Sequence, residues 1–283
     1  MKKYLFIWGL FFTIIAYGGN DYLNPGARSA GLGSASLCHT EVFSIFANPA
    51  GLMGMDAFSA GIAAQNRFLL NDLTLLNLGI ALPTRSGNFG LGMYYFGGSA
   101  LNEKEFRLGY ARNFLEGLSA GISLDFHQLS QQSFGSATLI TFDLGIRYAI
   151  NDKIVAAAKM HNPTRQKMGD NSTDQWPTLL SFGLSYNPSD KTGIYAEFEK
   201  NIDQKAIIKT GVEYLPIEKL ALRLGYSSNA NSFSAGIGLV LPSIYIDIAG
   251  SFHQDLGYSP YISFVYKGPK KNTNPALDTP EKL

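Results

Sequence analysis

The chain has 283 residues, 46% hydrophobic, 13% aromatic and only 16% charged, with a net charge of +1. Charges this few and this balanced argue against a disordered chain, a coiled coil and an electrostatic nucleic-acid binder. A single cysteine, Cys38, excludes an internal disulfide framework and any zinc site built on paired cysteines.

At the N-terminus, Lys2 and Lys3 precede an apolar run over residues 4–16, with small side chains at Ala16 and Gly18. This order predicts a secretory signal peptide over 1–18, cleaved after Gly18. The run is shorter than the ~20 residues a helix needs to cross a bilayer. Residues 19–56 then lack sustained alternation and are rich in small residues. Residues 41–46 allow one or two helical turns, and Asn48-Pro49 forces the chain to turn. The segment reads as a hatch folded into a lumen, with Arg28 and Glu41 pairing with wall charges; the alternative is a disordered leader.

From residue 57 to 267 the pattern changes to strict alternation. Phe58, Ala60, Ile62 and Ala64 share one face; Leu78, Ile80 and Leu82 follow, then Phe89, Leu91, Met93 and Tyr95. The same period continues through Phe106 and Leu108, Ile122 and Leu124, Ile140 and Leu144, and on to Ile262, Phe264 and Tyr266. About fourteen such runs, an even number, predict an all-β fold: a transmembrane antiparallel β-barrel. Every second connection is a tight turn, and the intervening ones are longer, mostly about five to nine residues. Tyr110, Tyr148, Tyr186, Tyr214 and Tyr266 close alternate strands before the short turns, while Tyr95, Phe126, Phe198, Tyr226 and Phe252 close the others. Two aromatic girdles on the apolar face are what the two membrane–water interfaces select.

The opposite face is glycine, serine and charge. Arg107, Asp125, Asp143, Arg147, Lys159, Glu197, Lys209, Glu213, Arg223 and Asp247 all fall in the inward register. Opposite signs on neighbouring strands predict a lumenal ion-pair network. Charges facing lipid would cost ~2–4 kcal/mol each near mid-bilayer, so their confinement to one register itself supports the barrel.

Two short segments carry a resemblance. Residues 25–33 (PGARSAGLG) and 46–52 (FANPAGL) resemble the hatch signature of PorV/PorQ-type outer-membrane proteins, within the FadL-like superfamily of plugged fourteen-stranded barrels. The resemblance marks Gly26, Ala27, Arg28, Gly31, Gly33, Asn48, Pro49, Ala50 and Gly51 as the hatch motif. It implies a non-enzymatic accessory barrel that binds protein partners in an outer-membrane secretion complex of type IX kind. The alternative within the superfamily is a channel for fatty acids or other hydrophobic molecules. The glycine-and-charge lining and the shortness of the connections favour the partner reading.

No catalytic constellation emerges. His127 stands two residues from Asp125 on the inward face, which reads as a structural pair; His39, His161 and His253 are isolated, with no metal-ligand spacing. No cofactor or metal is expected. Asn171-Ser172-Thr173 reads as a polar loop, and Cys38 as a packed hatch thiol. The tail 268–283 should be disordered and, like the mature N-terminus, periplasmic, where it is a candidate docking segment for a protein partner.

Overall fold

A computed structural model describes residues 25–133, 135–168, 176–202 and 204–269. The leader, its cleavage site, Asn171-Ser172-Thr173 and the tail from residue 270 lie outside them. Within the described residues fourteen strands form a closed antiparallel barrel. In chain order they are β1 (Ser59–Asn66), β2 (Thr74–Pro83), β3 (Asn88–Gly97), β4 (Leu101–Leu115), β5 (Leu118–Gln131), β6 (Gly135–Ala149) and β7 (Ile154–His161). The second half comprises β8 (Leu179–Ser189), β9 (Thr192–Asn201), β10 (Ile207–Ile217), β11 (Leu220–Ser227), β12 (Ser232–Val240), β13 (Ile244–His253) and β14 (Gly257–Lys267). Each strand pairs with its sequence neighbours, and β1 closes on β14 from Ser59↔Lys267 to Gln65↔Tyr261. The ladder therefore leaves no free edge around the ring, the condition for backbone to survive in hydrocarbon.

The alternation maps onto two environments. Outward residues such as Ile62, Leu124, Ile140 and Phe233 are 53–62% exposed, although they are large and apolar. A belt of this kind is stable only against lipid. Tyr148, Tyr186, Tyr214 and Tyr266 join it near the short turns, with Phe126, Phe198 and Phe252 near the other end. Across the β3–β4 seam the Phe89 and Tyr110 rings sit 5.0 Å apart, and the Tyr110 hydroxyl donates to the Ser86 carbonyl at 2.7 Å.

Two expectations need correction. The longer connections are tighter than the alternation suggested: β3–β4 uses only residues 98–100 and β5–β6 only 132–134. The length has gone into the strands. β4, β5 and β6 continue past the apolar belt, and there their outward residues are Asn102, Lys104, Gln128, Ser130, Ser136 and Thr138. Polar side chains outside the membrane carry no period-two contrast, so the sequence pattern stops before the strand does. Beside them β7 ends at His161, opposite Asp143, so residues 135–142 of β6 stand above it.

Residues 25–56 pack inside the ring. They form α1 (Ala27–Gly31), α2 (Ser44–Ala47) and a 3-10 turn (Pro49–Gly54). Val42, Ile45 and Leu52 are fully buried against small wall residues such as Ala63, Ala81 and Ala111, and Leu32 is fully buried beside Tyr195 and Gly211. At ~1.5–3 kcal/mol per large apolar side chain, these burials are what an extended leader would forgo. Asn48 pins the segment. Its Oδ1 accepts from Ala50 N at 3.1 Å, while its Nδ2 donates to the Leu37 carbonyl and to the wall carbonyl of Ile146, at 3.1 and 3.2 Å. Gly33, at φ +65°, lies so close to the backbone of Tyr226 and Thr210 that no side chain fits.

Cys38 is buried beside Val155 and Ala157, with its Sγ 3.7 Å from the Val155 carbonyl. Burial, and secondarily the Glu197 carboxylate, pushes its thiol up to about 12. The thiolate is the reactive form, so the folded protein should resist maleimide at pH 7.5 and label stoichiometrically after denaturation. Rapid labelling of the native barrel would mean residues 25–56 leave the lumen readily.

Candidate functional site

The inward charges gather into two clusters because directly opposed ladder positions carry opposite signs. On β10 and β11, Glu213 faces Arg223; on β9 and β10, Glu197 faces Lys209. Arg223 bonds Glu213 and Asp247, each at 2.6 Å, and Lys209 bonds Glu197 at 3.0 Å and Glu199 at 2.8 Å. This cluster also holds the N-terminal segment. Arg28 reaches Glu213 at 2.8 Å, and the Ser36 and Leu37 amides donate to Glu197 at 3.0 and 3.1 Å. Glu41 differs from expectation: it pairs with Arg28, at 3.3 Å, rather than with the wall. His39 stacks edge-on to Tyr195 at 4.9 Å; burial, then the Arg28 charge, holds its imidazole well below the ordinary range and therefore neutral.

The second cluster lies across β4 to β7. Arg107 faces Asp125 on the ladder and bonds Asp143 at 2.8 Å and Glu105. Lys159 meets Asp143 at 2.9 Å and donates to the Phe46 carbonyl at 2.7 Å. His161 was isolated in the sequence, yet register puts it opposite Asp143, with Nδ1 2.5 Å from the carboxylate. His127, read as a partner of Asp125, instead has its Nε2 2.8 Å from the Thr141 hydroxyl and its Nδ1 3.4 Å from Glu105. Arg147 departs from the network as well: its Nε donates to the Cys38 carbonyl at 3.1 Å.

Of the hatch motif, Ala27 and Gly31 lie in α1, which packs against β11 to β14, and Pro49 and Ala50 close on Gly121 of β5. Gly26 lies against the Phe43 ring, and Gly51 packs under Ser44 and the His39 carbonyl.

Above the second cluster, toward the longer connections, opens a narrow crevice of about 40 Å³. Pro25, Phe46, Tyr94, Trp176 and Pro177 make its walls, with Glu105, Arg107, His127 and His161 below. The Arg107 guanidinium lies 5.6 Å from the Phe46 ring centre, and His127 4.8 Å from that of Trp176. Asn77, Tyr94, Lys104, Glu105 and Gln128 border this crevice and also an apolar trough of about 760 Å³ outside the wall. The trough is floored by Ile62, Leu78, Met93, Phe106, Phe126 and Phe264. The two volumes lie on the inner and outer sides of the same stretch of wall, β2 to β5, and the ladder between them is intact: Asn77 pairs with Tyr94, Tyr94 with Glu105, and Glu105 with His127. A second opening of about 100 Å³, between β1 and β9–β14, is polar, with Ser34, Ser227, Ser234, Ser251 and Ser259 around Lys209.

Sequence reading missed the aromatic crevice. The outward run drew attention to Tyr95, whereas Tyr94 is the inward member of that pair. Trp176 and Pro25 come from connecting segments that carry no period. The adjacent tyrosines were the available signal.

No protein-family model matches the sequence, and the comparison with curated proteins finds no relative. Solved structures do match in shape. The toluene transporter TbuX of Ralstonia pickettii is 13% identical, with 86% of this chain and 98% of that chain covered, at a TM-score of 0.69. The toluene transporter TodX of P. putida is 14% identical over 86% and 98%, with a TM-score of 0.68. A FadL homologue of Pseudomonas aeruginosa is 13% identical over 86% and 98%, with a TM-score of 0.65. At such identities the likeness is one of fold: the fourteen-stranded architecture of FadL-like barrels.

Proposed function

We propose that this chain is a non-enzymatic outer-membrane barrel through which small hydrophobic molecules pass, with residues 19–56 as its lumenal hatch. The reading is carried by the juxtaposition of an aromatic crevice inside the wall and an apolar trough outside it, both bordered by Asn77, Tyr94, Lys104, Glu105 and Gln128. A solute entering from the longer-connection side would find Tyr94, Phe46 and Trp176, and beside them a hydrocarbon-facing surface to leave by. The toluene transporters that share the fold support the same class of solute. The inward glycines and charges, which favoured a partner-binding barrel when read from sequence, are instead occupied with the hatch.

The sequence holds two tryptophans, Trp8 in the expected leader and Trp176 in the crevice, so Trp176 alone reports on the mature protein. Titrating the detergent-purified barrel with toluene, and separately with a long-chain fatty acid, should shift Trp176 emission saturably for one of them. Tyr94→Asp should weaken that response at least ~10-fold, about 1.4 kcal/mol, without loss of the folded barrel. A flat titration with both ligands would remove the reading.

A further inference from the structure

We propose that Glu105, Asp125 and His127 form a binding site for one divalent first-row transition ion at the floor of the crevice. The inference is independent of what the crevice admits above it.

Charge is the first reason. Three carboxylates, Glu105, Asp125 and Asp143, face two cations: Arg107 bonds Asp143 at 2.8 Å and one oxygen of Glu105, and Lys159 meets Asp143 at 2.9 Å. Asp125 is left over. It is fully buried, neither of its oxygens makes a hydrogen bond of ordinary geometry, and its ion pair with Arg107 is a loose one, the Nε standing 3.7 Å away. A buried carboxylate without donors is unfavourable unless a cation or a proton joins it.

The imidazole supplies the second reason. His127 places Nε2 2.8 Å from the Thr141 hydroxyl. In the tautomer that donates Nε2–H to Thr141, Nδ1 carries the lone pair a metal would need, 3.4 Å from the Glu105 carboxylate. A histidine whose far nitrogen is held by a hydrogen bond is also the usual form of a metal ligand. Thr141 is in turn the ladder neighbour of Asp125, so one strand position orients the ring beside the orphaned carboxylate.

Geometry and access agree. One ligand atom from each of the three residues lies within 4.8 Å of the others, close to the ~4 Å that opposed bonds of 2.0–2.2 Å would span. Glu105 and His127 line the crevice, which gives an ion its way in. One imidazole and two carboxylates suit Mn, Fe, Co, Ni or Zn, and offer too few oxygens for calcium. A second set, Asp125, Asp143 and His161, shares the same carboxylate, but there Asp143 is already committed to Arg107, Lys159 and His161.

The test uses the full mature barrel in detergent, stripped with chelator and titrated with Mn²⁺ by electron paramagnetic resonance and with Zn²⁺ by calorimetry. One ion per barrel is expected. Asp125→Asn, nearly isosteric and relieved of its charge, should lower affinity ~100-fold or more, and Thr141→Val about 10-fold, in the range that removing an orienting partner costs. His253→Gln, at a histidine outside the cluster, should change nothing. Absence of saturable binding would mean that a proton holds Asp125 or His127, and would overturn the site. So would binding that Asp125→Asn leaves unaltered. If Asp125→Asn fails to fold, the Thr141→Val shift decides: unchanged affinity there sinks the assignment.

Discussion

Arg107→Ala is expected to cost the barrel about 3–5 kcal/mol, the range seen when one member of a buried ion cluster is removed. Arg107 is only 1% exposed, bonds Asp143 and Glu105, and faces Asp125 across the ladder. Truncation leaves three carboxylates with Lys159 as the remaining cation of the cluster. It also removes the guanidinium that packs against Phe46 and so loosens residues 25–56 from the wall. Urea unfolding in detergent, followed by Trp176 fluorescence and by the mobility difference between boiled and unboiled samples, would measure the loss. An unchanged midpoint would show that the cluster tolerates protonation in place of the cation.

The second large effect is on permeability rather than stability. A Cβ at Gly225 would run into the backbone of Leu32 and Gly33, and one at Gly121 would come within 2.5 Å of Ala50 N and Pro49 C. Backbone cannot give way as a flexible side chain can, so Gly225→Val or Gly121→Val should push residues 25–56 out of their seat. The wall glycine itself has an ordinary extended backbone, and the ladder should survive. In planar bilayers the wild-type barrel should show no steady conductance, and the double variant a persistent open pore. Protease added to the variant should cut within 25–56 while the barrel stays intact. A variant that remained closed would mean that something besides this segment blocks the lumen.

The strands were legible because lipid selects one face of each, and Ile62, Leu124 and Ile140 declare that face without any partner being known. Their upper ends were not, since Lys104, Gln128 and Thr138 project into water and leave no contrast with their neighbours. The inward charges could be enumerated but not paired. His161 and Asp143 meet only once the β6–β7 register is fixed, and Glu105 meets His127 only through β4–β5. Residues 25–56 carried a recognisable motif, yet their seat depends on small wall residues such as Ala81, Ala111 and Gly121. Those positions read from sequence merely as lumenal space. The crevice was hidden for a related reason, because Pro25, Tyr94 and Trp176 are distant in sequence and join only after the ring closes.

The unequal height of the wall has a directional consequence. With β4–β6 rising beyond the apolar belt while β7 stops at His161, the mouth is a slanted parapet rather than a level rim. For the proposed passage, this raises Lys104 and Gln128 beside the trough, so that the exit would face one sector of the circumference and a neighbouring barrel packed there would block it.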